Sequence, residues 1–267
     1  MADGQDVSCK TDRPGALSRA LGLLYAWAAF LVALSLFLYA VPFLGNLRFL
    51  KRAIVEPSVD IGPTSALFWA VPIDCGLILL FGLQHSLMAR HGYKRWVTRN
   101  VAGGLERATY VHASSLALWP VLLLWQPIPI VLLDLSAVRS VMMALYWLGW
   151  LVVLLSSLNI DLLELWGVRQ AGCWSRGVVY QPPPFKDHWL YRQVRHPIYL
   201  GLLIAYWATP QLTVGHLLFA SCMSAYIFIG TWFEERDLVR NHGESYRDYK
   251  RSVPAYVPRL VPGPRRT

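Results

Sequence analysis

Charge is scarce in this chain. Only 15% of its 267 residues are Asp, Glu, Lys or Arg, and the acids are the scarcer sign, 16 against 25. A soluble domain carries roughly a quarter charged residues, so this composition excludes an ordinary water-soluble globule. Cysteine is also rare: Cys9, Cys75, Cys173 and Cys222 form no CxxC pair and have no histidine at metal-ligand spacing. No disulfide frame and no metal site is expected. Internal repeats and low-complexity tracts are missing, which favours a single domain over residues 1–267. The first 19 residues lack a small-residue cleavage site behind a short apolar core, so they are expected to form a polar cytosolic tail, not a cleaved leader.

What the chain has instead is hydrophobic sequence, 55% of residues with a mean hydropathy of +0.37. Crossing about 30 Å of hydrocarbon as a helix takes roughly 20 residues. Runs of that length are expected to form spans at about 20–44, 64–88, 108–132 and 138–160. A longer run, about 197–233, is interrupted by the uncharged pentapeptide Thr209-Pro210-Gln211-Leu212-Thr213, which predicts a helical hairpin. The fold class expected is therefore all-α: a polytopic membrane protein of four full spans plus a C-terminal hairpin.

The basic residues alternate between loops. Lys10, Arg13 and Arg19 precede the first span; Arg90, Lys94, Arg95, Arg99 and Arg107 follow the second; Arg169, Arg176, Lys186, Arg192 and Arg195 follow the fourth. Eight more, from Arg236 to Arg266, follow the hairpin. The other loops hold only Arg48, Lys51, Arg52 and Arg139. Cations collect on the cytosolic side of a membrane, so both termini and the 161–196 connector are expected there. The net charge of +9 is then a matter of topology and lipid, with no nucleic-acid partner required. The connector contains Gln181-Pro182-Pro183-Pro184-Phe185, which favours extended polyproline chain.

Four polar groups stand where apolar sequence meets charge. Arg195-His196-Pro197 with Tyr199 and Gly201 opens the hairpin; Pro197 suits a first helical turn, and Gly201 permits close approach of a ligand or helix. Glu234-Glu235 closes it, followed by Gly243, Tyr246, Arg247, Tyr249, Val253 and Pro254, with Gly243 and Pro254 as helix stops. A hairpin returns its second limb beside its first, so Arg195, His196 and Tyr199 are expected near the two glutamates. Gln84-His85-Ser86 ends the second span, with Asp74 deeper, and Asn159, Asp161 and Glu164 close the fourth. Ionisable residues inside a span are suspects for function, although caps and interfacial flanks use the same residue types.

Taken jointly, R-H-P-x-Y-x-G, an apolar hairpin, E-E-x-x-L and G-x-x-Y-x-x-Y-x-x-x-V-P resemble the integral-membrane methyltransferases related to isoprenylcysteine carboxyl methyltransferase. The stretches Leu83-Gln84-His85-Ser86-Leu87-Met88 to Arg99, Glu106 to Val111, and Ala208 to Ala220 are similar to the bacterial methanethiol S-methyltransferases, extending the resemblance over most of 20–258. The resemblance implies S-adenosylmethionine as methyl donor, no metal, and a small volatile thiol as acceptor: methanethiol giving dimethyl sulfide, or hydrogen sulfide giving methanethiol. It also implies a bacterial inner membrane with the site facing the cytosol. Carried over, Arg195, His196, Pro197, Tyr199, Gly201, Glu234, Glu235, Tyr246, Arg247 and Tyr249 would bind the donor, Arg195 pairing with its methionyl carboxylate. His85 is the candidate for deprotonating the thiol. Four spans ahead of the Arg-His-Pro motif exceed the usual number in the shorter family members. Two rival enzymes share parts of the pattern: a prenylcysteine or lipid carboxyl methyltransferase, and an NADPH-dependent membrane reductase, against which the Glu-Glu pair argues. A membrane accessory protein that binds no donor is the non-enzymatic alternative.

Overall fold

In a computed structural model, residues 14–47, 57–182 and 189–258 are described. Expectations for Lys10, Arg13, Arg48, Lys51, Arg52, Pro183, Pro184, Phe185 and Lys186, and for Arg259 to Arg266, lie outside the described residues, as does Cys9. The chain runs α1 (Ala16–Gly45), α2 (Leu67–Met88), α3 (His91–Asn100), α4 (Glu106–Leu123), β1 (Val131–Asp134), α5 (Arg139–Ile160), α6 (Leu162–Leu165) and α7 (Val168–Ser175). It continues through α8 (Leu190–Gln193), α9 (Pro197–Trp207), β2 (Gln211–Thr213), α10 (Val214–His242) and α11 (Glu244–Ser252).

Four helices among the described residues are long and apolar enough to cross a membrane: α1, α2, α5 with the turn leading into it, and α10. Their outward faces carry Leu24, Leu31, Leu38, Leu79, Leu83, Leu148, Leu151, Ile229 and Trp232, all largely exposed. Such a surface is solvated by lipid tails, not by water, and the protein is an all-α membrane protein.

The third expected span, 108–132, divides. Helix α4 stops at Leu123 after 18 residues that include Glu106, Arg107 and His112. Pro127 and Pro129 bias Gln126 and Ile128 away from helical backbone, and the freed Gln126 N–H donates to the Asp74 carboxylate at 2.8 Å. The chain then runs extended into β1. The pentapeptide at 209–213 is likewise more than a turn: β2 pairs antiparallel with β1, matching Val131 to Thr213 and Asp134 to Gln211. A two-stranded ribbon thus caps one end of an otherwise helical molecule. Helix α10 also runs past the expected limit at 233 and ends at Gly243, whose positive φ of 59° closes it.

Small residues set the helix spacing. Ala26, Ala29 and Ala33 line one face of α1 and are buried against Ala108 and Val111 of α4 and Trp166 and Ala171 of the connector. Helices α5 and α9 approach at Gly149 and Gly201: a Cβ on Gly201 would lie 2.6 Å from the Gly149 carbonyl, and one on Gly149 2.7 Å from the Gly201 carbonyl. Only backbone fits there. Within the connector, α6 and α7 dock on α1 and α4, with Trp174 over Gly22 and Gly104.

Candidate active site

The first turn of α9 begins at Pro197, whose missing N–H leaves no intrahelical bond unmade. The two residues before it are held by the segment after α11: Arg195 N–H donates to the Pro254 carbonyl at 2.9 Å and His196 N–H to the Ala255 carbonyl at 3.1 Å. Proline at 254 ends α11 and turns that carbonyl toward the motif. The Arg195 side chain then reaches α10, with Nε and Nη2 2.8 and 2.7 Å from Glu235 Oε1, while Nη1 donates to the Lys250 and Val253 carbonyls. Lys250 Nζ lies 2.6 Å from Glu235 Oε2, and His196 Nε2 lies 3.2 Å from Oε1. His196 and Glu235 are buried, the Arg195 side chain is 9% exposed, and Arg195 and Glu235 satisfy each other's charge.

Glu234 sits differently. Its side chain is 44% exposed, it accepts from the Tyr199 hydroxyl at 2.9 Å, and His196 Nδ1 stands 4.0 Å away. The His196 ring stacks on Tyr199, centroids 5.6 Å apart, and Tyr256 tilts against its other side at 5.9 Å. Tyr256 donates to Thr231 Oγ1. Tyr246 and Tyr249 are buried with rings 5.7 Å apart, Tyr249 donating to the Tyr191 carbonyl. Burial, with Glu235 nearby, pushes the Tyr246 phenol above its ordinary range, so it stays protonated. The arrangement offers a half-open carboxylate beside stacked rings, backed by a closed ionic tie. A carboxylate so placed can accept from vicinal hydroxyls or an ammonium group.

The structure thus brings Arg195, His196, Tyr199, Glu234, Glu235, Tyr246 and Tyr249 to one spot. Pro197 contributes backbone shape, and Gly201 faces Gly149 on α5. Arg247 lies on the exposed side of α11, paired with Glu244 at 2.7 Å. Among the described residues no cluster of three or more His, Cys, Asp or Glu could hold a metal.

His85 stands on α2 in a box of rings: Phe81 at 5.4 Å, Tyr110 at 4.9 Å and Tyr226 at 6.1 Å. Its Nε2 is 2.6 Å from the Tyr110 hydroxyl. Tyr226 and Tyr199 both pack against the main hydrophobic core, to which Phe81 belongs. Sequence reading missed Tyr110 and Tyr226; a tyrosine hydroxyl inside a membrane helix needs a partner, and that was the available signal.

A second buried polar network was also missed, at the ribbon end. His216 Nε2 donates to the Tyr206 carbonyl at 2.8 Å, and Nδ1 is 3.2 Å from Asp60 Oδ2. Asp60 further accepts from Asn46 and Thr213. A histidine two residues into an apolar helix is the kind of signal that marks such a site. Asp161 follows α5 and caps the start of α6 by accepting from the Leu163 N–H; it also pairs with Arg169, and Glu164 accepts from Gln170 and Tyr180.

Comparison with known proteins gives the family. The chain is 43% identical over 244 residues to the methanethiol S-methyltransferase of Mycobacterium tuberculosis, covering 91% of this chain and 98% of that one. It is 43% identical over 242 residues to methanethiol S-methyltransferase 2 of Bradyrhizobium diazoefficiens, covering 89% and 90%. Nurim of Sus scrofa is 32% identical over 178 residues, 62% of this chain and 66% of that one. No family model matches, and no solved structure matches. With 43% identity over about nine-tenths of its length, the chain belongs to the methanethiol S-methyltransferase family.

Proposed function

We propose that the protein methylates methanethiol to dimethyl sulfide with S-adenosylmethionine as donor, and accepts hydrogen sulfide as a second, smaller substrate. The observation that carries this reading is the junction of two unlike surfaces: the Glu234, Tyr199 and His196 face on one side and the aromatic box around His85 on the other. When bound, S-adenosylmethionine supplies an electrophilic methyl group on a sulfonium. Glu234 would accept hydrogen bonds from its ribose hydroxyls or amino group, and the stacked His196 and Tyr199 rings would help to hold it. Arg195 and Glu235 act chiefly by holding that face together, because the guanidinium already donates to Glu235 and two carbonyls. Tyr246 and Tyr249 close the back of the site. Alignment of methyl and sulfur supplies much of the rate, with His85 taking the thiol proton.

In the membrane, α9 and α10 form a hairpin entered from the cytosolic face, both termini lie in the cytosol, and the acceptor arrives through the lipid side. The test is purified protein with S-adenosylmethionine and methanethiol, dimethyl sulfide being measured in the headspace. Product above a no-enzyme control is expected. Donor binding without product would overturn the thiol assignment; competition by a prenylcysteine analogue would favour the carboxyl methyltransferase, and absence of donor binding would favour the reductase or an accessory role.

A further inference from the structure

His85 has one satisfied ring nitrogen and one that is not. Nε2 meets the Tyr110 hydroxyl, whereas Nδ1 is buried and meets no hydrogen-bond partner among the described residues. Leaving a buried polar atom unpaired is costly, and a fold tolerates it where a ligand completes the pairing. The surroundings are aromatic. Phe81, Tyr110 and Tyr226 enclose the imidazole, and Gly82 gives Tyr226 room to lie across α2, since a Cβ there would come within 3.2 Å of its ring.

Resting on the thiol-methylation reading, we propose that this box is the acceptor subsite and that Tyr110 is its positioning residue. Tyr110 accepts from His85 Nε2–H and so leaves the Nδ1 lone pair facing the thiol. The tautomer is the point of the pairing. With Nε2–H bound to Tyr110, Nδ1 takes up a proton and the imidazolium that results keeps the same hydrogen bond, with no rotation of either ring. In the transfer the S–H bond breaks and its proton passes to Nδ1. The sulfur lone pair forms a bond to the methyl carbon of the sulfonium donor, and the electron pair of the breaking C–S bond stays on the donor sulfur. A thioether and a neutral thioether co-product remain, with the proton on His85. Charged and titratable groups facing the imidazole are Arg107 and Tyr110 on α4 and Tyr226 on α10. Tyr199 and Glu234, joined at 2.9 Å, belong to the donor face. Arg107 stands over the Tyr110 ring at 5.4 Å.

The experiment compares wild type with Tyr110→Phe and His85→Gln in detergent or nanodiscs, measuring S-adenosylmethionine affinity by calorimetry and dimethyl sulfide formation across pH 6–10. Donor affinity is expected to be unchanged in both variants. At neutral pH, kcat/KM for methanethiol should fall about tenfold in Tyr110→Phe and about a hundredfold or more in His85→Gln. Both deficits should shrink as pH rises and solvent ionises the thiol. Unchanged rates, or deficits that stay constant with pH while donor binding holds, overturn the assignment. Wild-type protein that binds donor but makes no dimethyl sulfide overturns the thiol reading itself, a different result from active wild type with unaffected variants.

Discussion

Adjacent on α10, Glu234 and Glu235 meet different surroundings: Glu235 is enclosed by Arg195, His196 and Lys250, while Glu234 is half open beside Tyr199. Their substitutions should separate binding from folding. Removing the charge at Glu235 strands a buried guanidinium, so Glu235→Gln is expected to cost about 3 kcal/mol and lower the melting temperature in detergent. Glu234→Gln should leave melting within error and weaken S-adenosylmethionine binding about tenfold, read by calorimetry. Sequence showed both residues near Arg195 but not which one the arginine would take, because that depends on helical phase at the end of a 29-residue helix. Outside the membrane helices, burial raises the Glu164 carboxyl against the opposing pull of Arg169. A folded-state value above the unfolded one, about 4.3, means that its contribution to stability is fully present below that pH and is lost as pH rises through the folded value. Glu164→Gln should therefore gain in melting temperature relative to wild type as pH goes from 4 to 8; a difference that is flat or falls would contradict this.

At the scale of elements, the pairing of α5 with α9 rests on backbone meeting backbone at Gly149 and Gly201. Gly201→Val should force the helices apart, costing about 1–3 kcal/mol, and should loosen the N-terminal turn that carries His196. Donor affinity and melting temperature should then drop together, unlike the Glu234 result. Element starts and stops were largely legible: Pro197 opens α9, Gly243 ends α10 and Pro254 follows α11. Each has a local cause, a missing donor or a positive φ. The early end of α4 and the β1–β2 ribbon were less legible. Their apolar residues suit a span as well as a strand, and the deciding contacts, Asp74 with Gln126 and residues 131–134 with 211–213, join distant parts of the chain. The Asp60–His216 bond closes the same end, and His216→Ala should lower melting temperature without changing donor affinity.

For the whole molecule, the alternation of basic loops makes a directional prediction. In a variant stripped of native cysteines, a cysteine at position 103 should resist a membrane-impermeant maleimide in intact cells, and one at position 62 should react; the reverse pattern would invert the assigned topology. Three of the four full spans expected from hydropathy correspond to long apolar helices, α1, α2 and α5; the fourth such helix is α10, while α4 ends at Leu123 and carries Glu106 and Arg107. The carbonyls of Lys250, Val253, Pro254 and Ala255 all serve Arg195 or the backbone beside it. During synthesis, therefore, Arg195 must be inserted and wait while another 60 residues emerge. The nascent protein can complete its bundle well before it can bind a donor, so ribosome-stalled chains ending before residue 250 should be membrane-integrated and catalytically silent.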